Sequence, residues 1–243
     1  MRILTLDIET SPHEAYAFQV WQANIAHGQI KKPTYMLSWA AKFLDEKVGD
    51  MVYRDCDAPD FLTKLYDMLT QADIIVSYNG DKFDLKHIKR EFIEDGFAPL
   101  RPYASVDLLK HVKANFNFPH NKLDYVASVL LGKRKLQTGG FDLWPAFMSG
   151  DPKARKVMER YNRGDVKITE ALYKFMRPWI KNHPNVGPVP ELLGDEDDVY
   201  ECPCCGSWKT EQKRPRRTRC FAIRQVSCTK CGAWADGKRK KLK

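Results

Sequence analysis

Long apolar runs and scattered cysteines are what this chain of 243 residues lacks. No hydrophobic stretch approaches the roughly 20 residues that span a bilayer. The amino terminus, MRILTLDIET, carries Asp7 and Glu9 where a secretory leader would need its apolar core. A soluble protein that is not exported is therefore expected, with no membrane partner. Residues 1–201 contain one cysteine, Cys56, which excludes a disulfide framework there. A reducing compartment follows, the cytoplasm of a bacterium or of a virus's host. Acids are scarce in one region only. Residues 202–243 hold two, Glu211 and Asp236, against 13 Lys and Arg, a net +11, while residues 1–201 hold 29 acids against 27 bases, a net −2. That asymmetry points to a polyanionic partner such as nucleic acid, a solubilising tail being the plainer alternative.

With 43% hydrophobic residues, the chain can build one well-buried domain and a smaller appendage. Strand-like apolar runs occupy residues 3–6, 35–44, 51–53 and 74–77. Helical spacing follows in three places: Phe61, Leu65, Met68 and Leu69; Leu85, Ile88, Phe92 and Ile93; and Leu123, Val126, Ala127, Leu130 and Leu131, closed by Gly132. A last long helix is expected from Asp151-Pro152 to about Trp179. Strands followed by alternating strands and helices predict a mixed α/β sheet with helices packed on it. The stretch HPNVGPVPELLGDEDDVYE, rich in Pro, Gly and acids, reads as a linker. The expected domains are thus 1–182, a linker at 183–201, and a basic module at 202–243.

The buried character of residues 3–6 makes the acids that follow conspicuous, since desolvating unpaired charge costs several kcal/mol. Side chains at i and i+2 of a strand share a face, so Asp7 and Glu9 project together, about 7 Å apart along the backbone. A second acidic site follows the apolar run at 74–76 in SYNGDKFDLKHI, where Asn79-Gly80 makes a turn and Asp84 opens a helix. A third lies in RYNRGDVKIT, where Tyr161 and Asp165 stack one turn apart on a helix. Taken singly, each has a plain structural reading: a cap, a turn, a surface pair. Asp81 is an alternative to Asp84, and Asp107 is expected to cap a helix. His87 and His111 read as packing or surface residues.

In that order, strand-end acids, an Asn-x-x-x-Phe-Asp turn and a Tyr-x-x-x-Asp helix resemble the three motifs of the DEDDy 3′-5′ exonucleases. The proofreading domain of family B DNA polymerases is the nearest likeness. NKLDYVASVLLGKRK is similar to a segment of the same group, and the resemblance covers residues 1 to about 180. It implies an RNase H-like mixed five-stranded sheet flanked by helices, and a 3′-5′ exonuclease that hydrolyses phosphodiester bonds of DNA at single-stranded 3′ ends. It further implies Asp7, Glu9, Asp84 and Asp165 as ligands of two Mg²⁺ or Mn²⁺ ions, with Asp7 shared and Tyr161 orienting the attacking water. Thr10, Asn79 and Phe83 would contact the terminal nucleotide, although Phe83 beside a turn could equally pack under the sheet. Two such ions would offset the mutual repulsion of the acids. The polymerase likeness favours DNA over RNA and suggests a replication or repair protein as partner. An exoribonuclease, a structure-selective nuclease and an inert nucleic-acid-binding scaffold are the rival readings.

CPCCG and CTKCG supply two CxxC knuckles, Cys202 with Cys205 and Cys228 with Cys231. Four thiolates so spaced resemble a zinc ribbon, one Zn²⁺ standing in for the core that some 40 residues cannot build. An iron–sulfur cluster is the alternative. Cys204 and Cys220 are surplus. The intervening KTEQKRPRRTRCFAIRQ suits phosphate contact and base stacking, with protein binding as the other use of such modules.

Overall fold

The computed structural model describes residues 2–21, 24–44, 46–180, 183–184, 201–202, 204–217 and 221–241. The apolar run at the amino terminus extends through its acids as β1 (Ile3–Thr10). After it comes an excursion carrying a short hairpin, β2 (Glu14–Ala15) with β3 (Ile30–Lys32), and then β4 (Met36–Phe43) and β5 (Val52–Asp55). Helix α1 (Phe61–Gln71), strand β6 (Ile74–Ser77), helix α2 (Asp84–Glu94) and strand β7 (Ala104–Asp107) continue the chain. Four helices complete this part: α3 (Leu108–Asn115), α4 (Leu123–Leu131), α5 (Leu143–Met148) and α6 (Pro152–Met176).

The sheet runs β5-β4-β1-β6-β7, with β4 antiparallel to β1 and β5, and with β1, β6 and β7 parallel. This is the expected mixed five-stranded sheet. Alternation along β1 divides the core. Leu4, Leu6 and Ile8 join Trp39, Ala41 and Phe43 of β4 against α1 and α2. On the other face, Ile3, Ile74, Val76 and Val106 pack against α3, α4 and the Ile168–Leu172–Tyr173 stretch of α6. Each helix buries the stripe that its spacing foretold: Phe61, Leu65, Met68 and Leu69 on α1, and Leu85, Ile88 and Phe92 on α2, with Ile93 left exposed.

Two departures from the sequence reading have physical causes. Asp107 does cap α3, accepting from the backbone N–H of Leu109 at 3.0 Å, but it also ends β7, a strand missing from the sequence-based reading. Four residues are too few to display a period, and β7 pairs on one side only. The α-helical part of α6 stops at Met176, followed by a 3-10 turn over Arg177–Trp179 that contains Pro178.

Of the expected linker, residues 185–200 lie outside the described residues. His183 precedes them, buried and hydrogen-bonded to the Tyr173 hydroxyl at 2.7 Å. Beyond, β8 (Thr210–Arg217), β9 (Phe221–Cys228) and β10 (Trp234–Lys241) form a separate antiparallel sheet in the order β10-β9-β8. Gly232, at φ +71°, sits so close to Pro178 that an added Cβ would come within 2.7 Å of its Cα, so this position tolerates only glycine. Among the described residues no helix is long and apolar enough to cross a membrane.

Among the charged side chains buried in the core is that of Lys42 in β4. Lys42 is 1% exposed, donates to the carbonyls of Phe43 and Glu46 at 2.8 and 2.7 Å, and forms a 2.8 Å ion pair with Glu170 of α6. Lys42→Met should lower the unfolding free energy by about 3 kcal/mol, because it leaves a buried carboxylate and two carbonyls without that partner. Urea denaturation checks this; a cost under about 1 kcal/mol would show that Lys174, the other partner of Glu170, satisfies it alone.

Candidate metal centre and active site

The polar end of β1 faces α6. Asp7 and Glu9 lie on the same side of the strand as Ile3 and Thr5, opposite Ala40 and Ser38 of β4. Those small residues let α6 approach closely, with Val166 packing beside Ala40. The buried stripe of α6 turns polar at the same level, bringing in Asn162 and Asp165. Carboxylate oxygens of Asp7, Glu9 and Asp165 lie within 4.8 Å of one another. Residues 156 positions apart in the chain thus share one pocket. Asn162 orients the group: its Nδ2 donates to Asp7 Oδ2 at 2.7 Å and to the Asp7 carbonyl at 3.1 Å, while Ser38 Oγ donates to its Oδ1 at 3.3 Å.

Asp84 stands beside this triad but outside it. It begins α2, and its Oδ1 accepts from the backbone N–H of Ile8 at 3.1 Å. The preceding turn is tight, and a Cβ on Gly80 would fall 2.1 Å from Ser77 Oγ. Asn79 adopts φ +73°, and its N–H donates to Asp107 at 2.8 Å, so the residue that caps α3 also fastens the turn. Asp81 points elsewhere, to Lys110 and Ser105. Thr10 ends β1 at a register shift and is half-buried, while Phe83 is 38% exposed against His87, not beneath the sheet.

Crowded acids resist ionisation. Burial, then the charges of Asp165 and Asp84, hold the Asp7 carboxyl well above the usual range. Burial and Asp165 push Glu9 up to about 8, and burial chiefly raises Asp84 to about 7. Asp165 is also raised by burial, against the pull of Lys135. Lys135, in the loop after α4, forms an ion pair with Asp165 and places its ammonium 4.6 Å from the ring centroid of Tyr161. Its burial works against its charge, and Asp165 more than outweighs that, so its pKa is raised. Tyr161, one turn before Asp165, is half-buried with its phenol raised by burial and by Asp165, and Trp144 of α5 stands edge-on to it at 6.3 Å. Among the described residues Asp165 Oδ1, which is buried, has no hydrogen-bond partner, an acceptor suited to a cation. Hard carboxylate oxygens so placed fit Mg²⁺ or Mn²⁺.

Sequence reasoning missed Asn162 and Lys135. Asn162 adjoins Tyr161 in RYNRGD and lies on the buried stripe with Asp165, a signal available from helical spacing. Lys135 had none, for its place depends on how the loop after Gly132 folds back over α6.

The description of the RNase_H superfamily matches residues 4–177. The chain belongs to the RNase H superfamily. Similar proteins include DNA polymerases of Thermococcus sp. (strain GE8), 25% identical over 203 residues, and Pyrococcus glycovorans, 24% identical over 201. The DNA polymerase of Thermococcus kodakarensis is 23% identical over 203 residues. These alignments cover 73%, 71% and 73% of the chain but only 11%, 24% and 12% of the relatives, so the chain spans a quarter or less of their length.

Beyond the RNase H part, the four knuckle cysteines converge. Sulfurs of Cys202, Cys205, Cys228 and Cys231 lie within 4.8 Å of one another, with Cys202 3.5 Å from Cys231 and Cys205 3.7 Å from Cys228. Cys204 packs against Cys202, Cys228 and Ala233 but is not one of those four, and Cys220 lies outside the described residues. Without a metal, burial pushes Cys202 and Cys205 up to about 12. Cys228, despite its burial, is drawn down by backbone N–H groups of Cys231 and Lys230.

A pH prediction follows for the carboxylates of this RNase H superfamily member. Because Glu9 and Asp84 are raised to about 8 and about 7, the metal-free fold binds more protons than the unfolded chain between about pH 4 and pH 8, and its stability falls as pH rises through that window. A divalent cation must displace those protons, so it binds more tightly as pH rises. Millimolar Mn²⁺ should therefore raise the melting temperature more at about pH 8 than at about pH 6. Equal shifts in differential scanning fluorimetry would show that the acids are already ionised.

Proposed function

We propose that this protein is a metal-dependent 3′-5′ exonuclease that removes nucleotides from single-stranded DNA ends. In this reading residues 1–182 are the nuclease unit, 183–201 a linker, and 202–243 a basic zinc ribbon. The observation that carries it is the convergence of Asp7 and Glu9 from β1 with Asp165 from α6, Tyr161 lying one helical turn before Asp165. Similarity to DNA polymerases supports DNA as the substrate.

Two divalent ions held by Asp7, Glu9, Asp84 and Asp165 would supply Lewis-acid activation of water and charge neutralisation at the departing 3′ oxygen. Asp7 would be the ligand common to both, and Asn162 fixes the orientation of its carboxylate by donating to one of its oxygens. Tyr161 keeps its proton at neutral pH, because its phenol is raised, and acts as a hydrogen-bonding positioner of the nucleophile, not as a bulk base. Lys135 offsets negative charge where the acids and a phosphodiester would otherwise meet unscreened. Thr10 at the end of β1, Asn79 in its turn and the exposed ring of Phe83 are the residues to which this reading assigns the terminal nucleotide. The four cysteines suit Zn²⁺, which would stand in for an apolar core in the ribbon. The ribbon's net charge of +11 supplies phosphate contacts.

End-labelled single-stranded DNA, duplex DNA and RNA, each with Mg²⁺ or with chelator, test the reading on one gel. A ladder that shortens from the 3′ end, fastest for single-stranded DNA and abolished by chelator, is expected; a fixed internal product or faster loss of RNA would replace it. Asp7→Asn and Asp165→Asn should each cut nucleotide release by about a thousandfold or more without unfolding the protein. Tyr161→Phe should slow it by about 10- to 100-fold with metal affinity kept. Full activity in any of these variants removes that residue from the machinery. Truncation after Gly194 should leave a nuclease whose DNA binding depends less steeply on salt; an unchanged slope of log affinity against log salt would make the ribbon a protein adaptor.

A further inference from the structure

Between β1 and β4 the chain leaves the sheet for residues 12–34 and returns beside its point of departure. The root is firmly tied. Ser11 N–H donates to the Tyr35 carbonyl at 2.8 Å, Tyr35 N–H to Ser11 Oγ at 3.0 Å, and the Thr34 hydroxyl to the Ser11 carbonyl at 2.6 Å. Only Thr10 separates this root from Glu9. The hairpin of β2 and β3 stiffens the arm above it, with Tyr16 N–H donating to the Gln29 carbonyl at 3.0 Å.

Beyond the hairpin the arm displays large apolar side chains that none of the other described residues covers. Tyr16, Phe18, Val20 and Trp21 are 69, 103, 91 and 87% exposed. Isolated exposed apolar residues are ordinary, but four within six positions mark a binding surface. Beside the arm runs an open groove of about 460 Å³, walled by His13, Lys32 and Tyr35 at the root and by Phe141, Pro145 and Met148 around α5. Both walls lead to the active centre: the root follows Glu9 directly, and α5 carries the Trp144 that stands against Tyr161. Phe141 is itself 64% exposed.

The chemistry selects the occupant. Flat, solvent-facing aromatic rings with a lysine beside them are what sequence-tolerant single-strand binders present to bases and phosphates. From 12 to 35 the chain has one acid, Glu14, which is ion-paired to Lys32 at 3.0 Å, against Lys31 and Lys32; Lys31 lies 5.7 Å from the ring centroid of Tyr16. We propose that the arm and its groove bind unpaired bases of the strand whose end is held at the carboxylates, Phe18, Trp21 and Phe141 acting as stacking platforms, so that the enzyme takes single-stranded ends and discriminates against blunt duplex. Only the identity of the bound end rests on the exonuclease reading. The stacking surface stands on exposure, charge and position.

The test uses the full chain, with Phe18→Ala/Trp21→Ala and Phe141→Ala as variants. Binding of a fluorescent oligothymidylate of about 12 nucleotides is followed by anisotropy in chelator, and hydrolysis of the p-nitrophenyl ester of thymidine 5′-monophosphate is followed separately in Mg²⁺. Each lost ring should weaken oligothymidylate binding by about fivefold or more, with blunt duplex binding unaltered and the rate on the small ester kept. Wild-type affinity in the double variant overturns the proposal, as does an equal loss for single-stranded and duplex DNA. A change of sedimentation with unaltered oligonucleotide affinity also overturns it, in favour of contact between copies of the chain. Absence of ester hydrolysis in the wild type sinks the exonuclease reading alone, since the binding comparison stands without it.

Discussion

Electrostatic repulsion among carboxylates confined to one pocket is the constraint around which this molecule is arranged. Asp7, Glu9 and Asp165 converge within 4.8 Å, with Asp84 close by, and burial removes much of the water that would screen them. Left to itself such a buried cluster takes up protons: burial first, and then the neighbouring carboxylates, raise Glu9 to about 8 and Asp84 to about 7. Lys135 compensates part of the charge, and the Asn162 amide fixes the geometry of one member. A binding site of this kind carries a standing cost to the fold, and cations are the natural compensation.

The cost is tolerable because the scaffold around it is strongly determined. Leu4, Leu6 and Ile8 lock the other face of β1 into the core under α1 and α2, so Asp7 and Glu9 cannot turn inward without exposing three apolar side chains. Ser38 and Ala40, small where β4 faces α6, allow the helix to bring Asp165 to the strand. A buried ion pair, Lys42 with Glu170, ties the same strand and helix further along. Rigid elements thus supply the acids, whereas loops supply the surroundings: the Asn79 turn, Lys135, and the aromatic arm rooted at Ser11 and Tyr35. Cysteine sulfurs take over the role of a core in the carboxy-terminal module, where Cys202, Cys228 and Ala233 are its buried apolar cluster.

Much of this was legible in the amino-acid order. Strand alternation places Asp7 with Glu9, helical spacing places Tyr161 with Asp165, and each CxxC knuckle places two sulfurs together, because each relation is local and follows from short spacing along the backbone. Helices α1, α2 and α4 carried most of their buried stripes openly, and α6 its extent. Other features were hidden for the same physical reason in reverse. Strand β7 exists because β6 offers it a parallel neighbour, and four residues contain no period of their own. Proximity alone left Asp81 as an alternative to Asp84, which the family pattern preferred; the fold separates them by sending Asp81 to Lys110 and Ser105 and holding Asp84 beside β1 through the N–H of Ile8.

By itself, then, the sequence determined which residues could act in pairs, the class of fold, and the separation of an acidic body from a basic, cysteine-bearing end. Only the tertiary structure decided that pairs 156 positions apart would meet, that Lys135 and Asn162 would attend them, and that the arm's rings would face solvent beside the site. Such distances across the chain are set by sheet order and helix packing, which sum many weak preferences and leave no short-range mark at the residues they bring together.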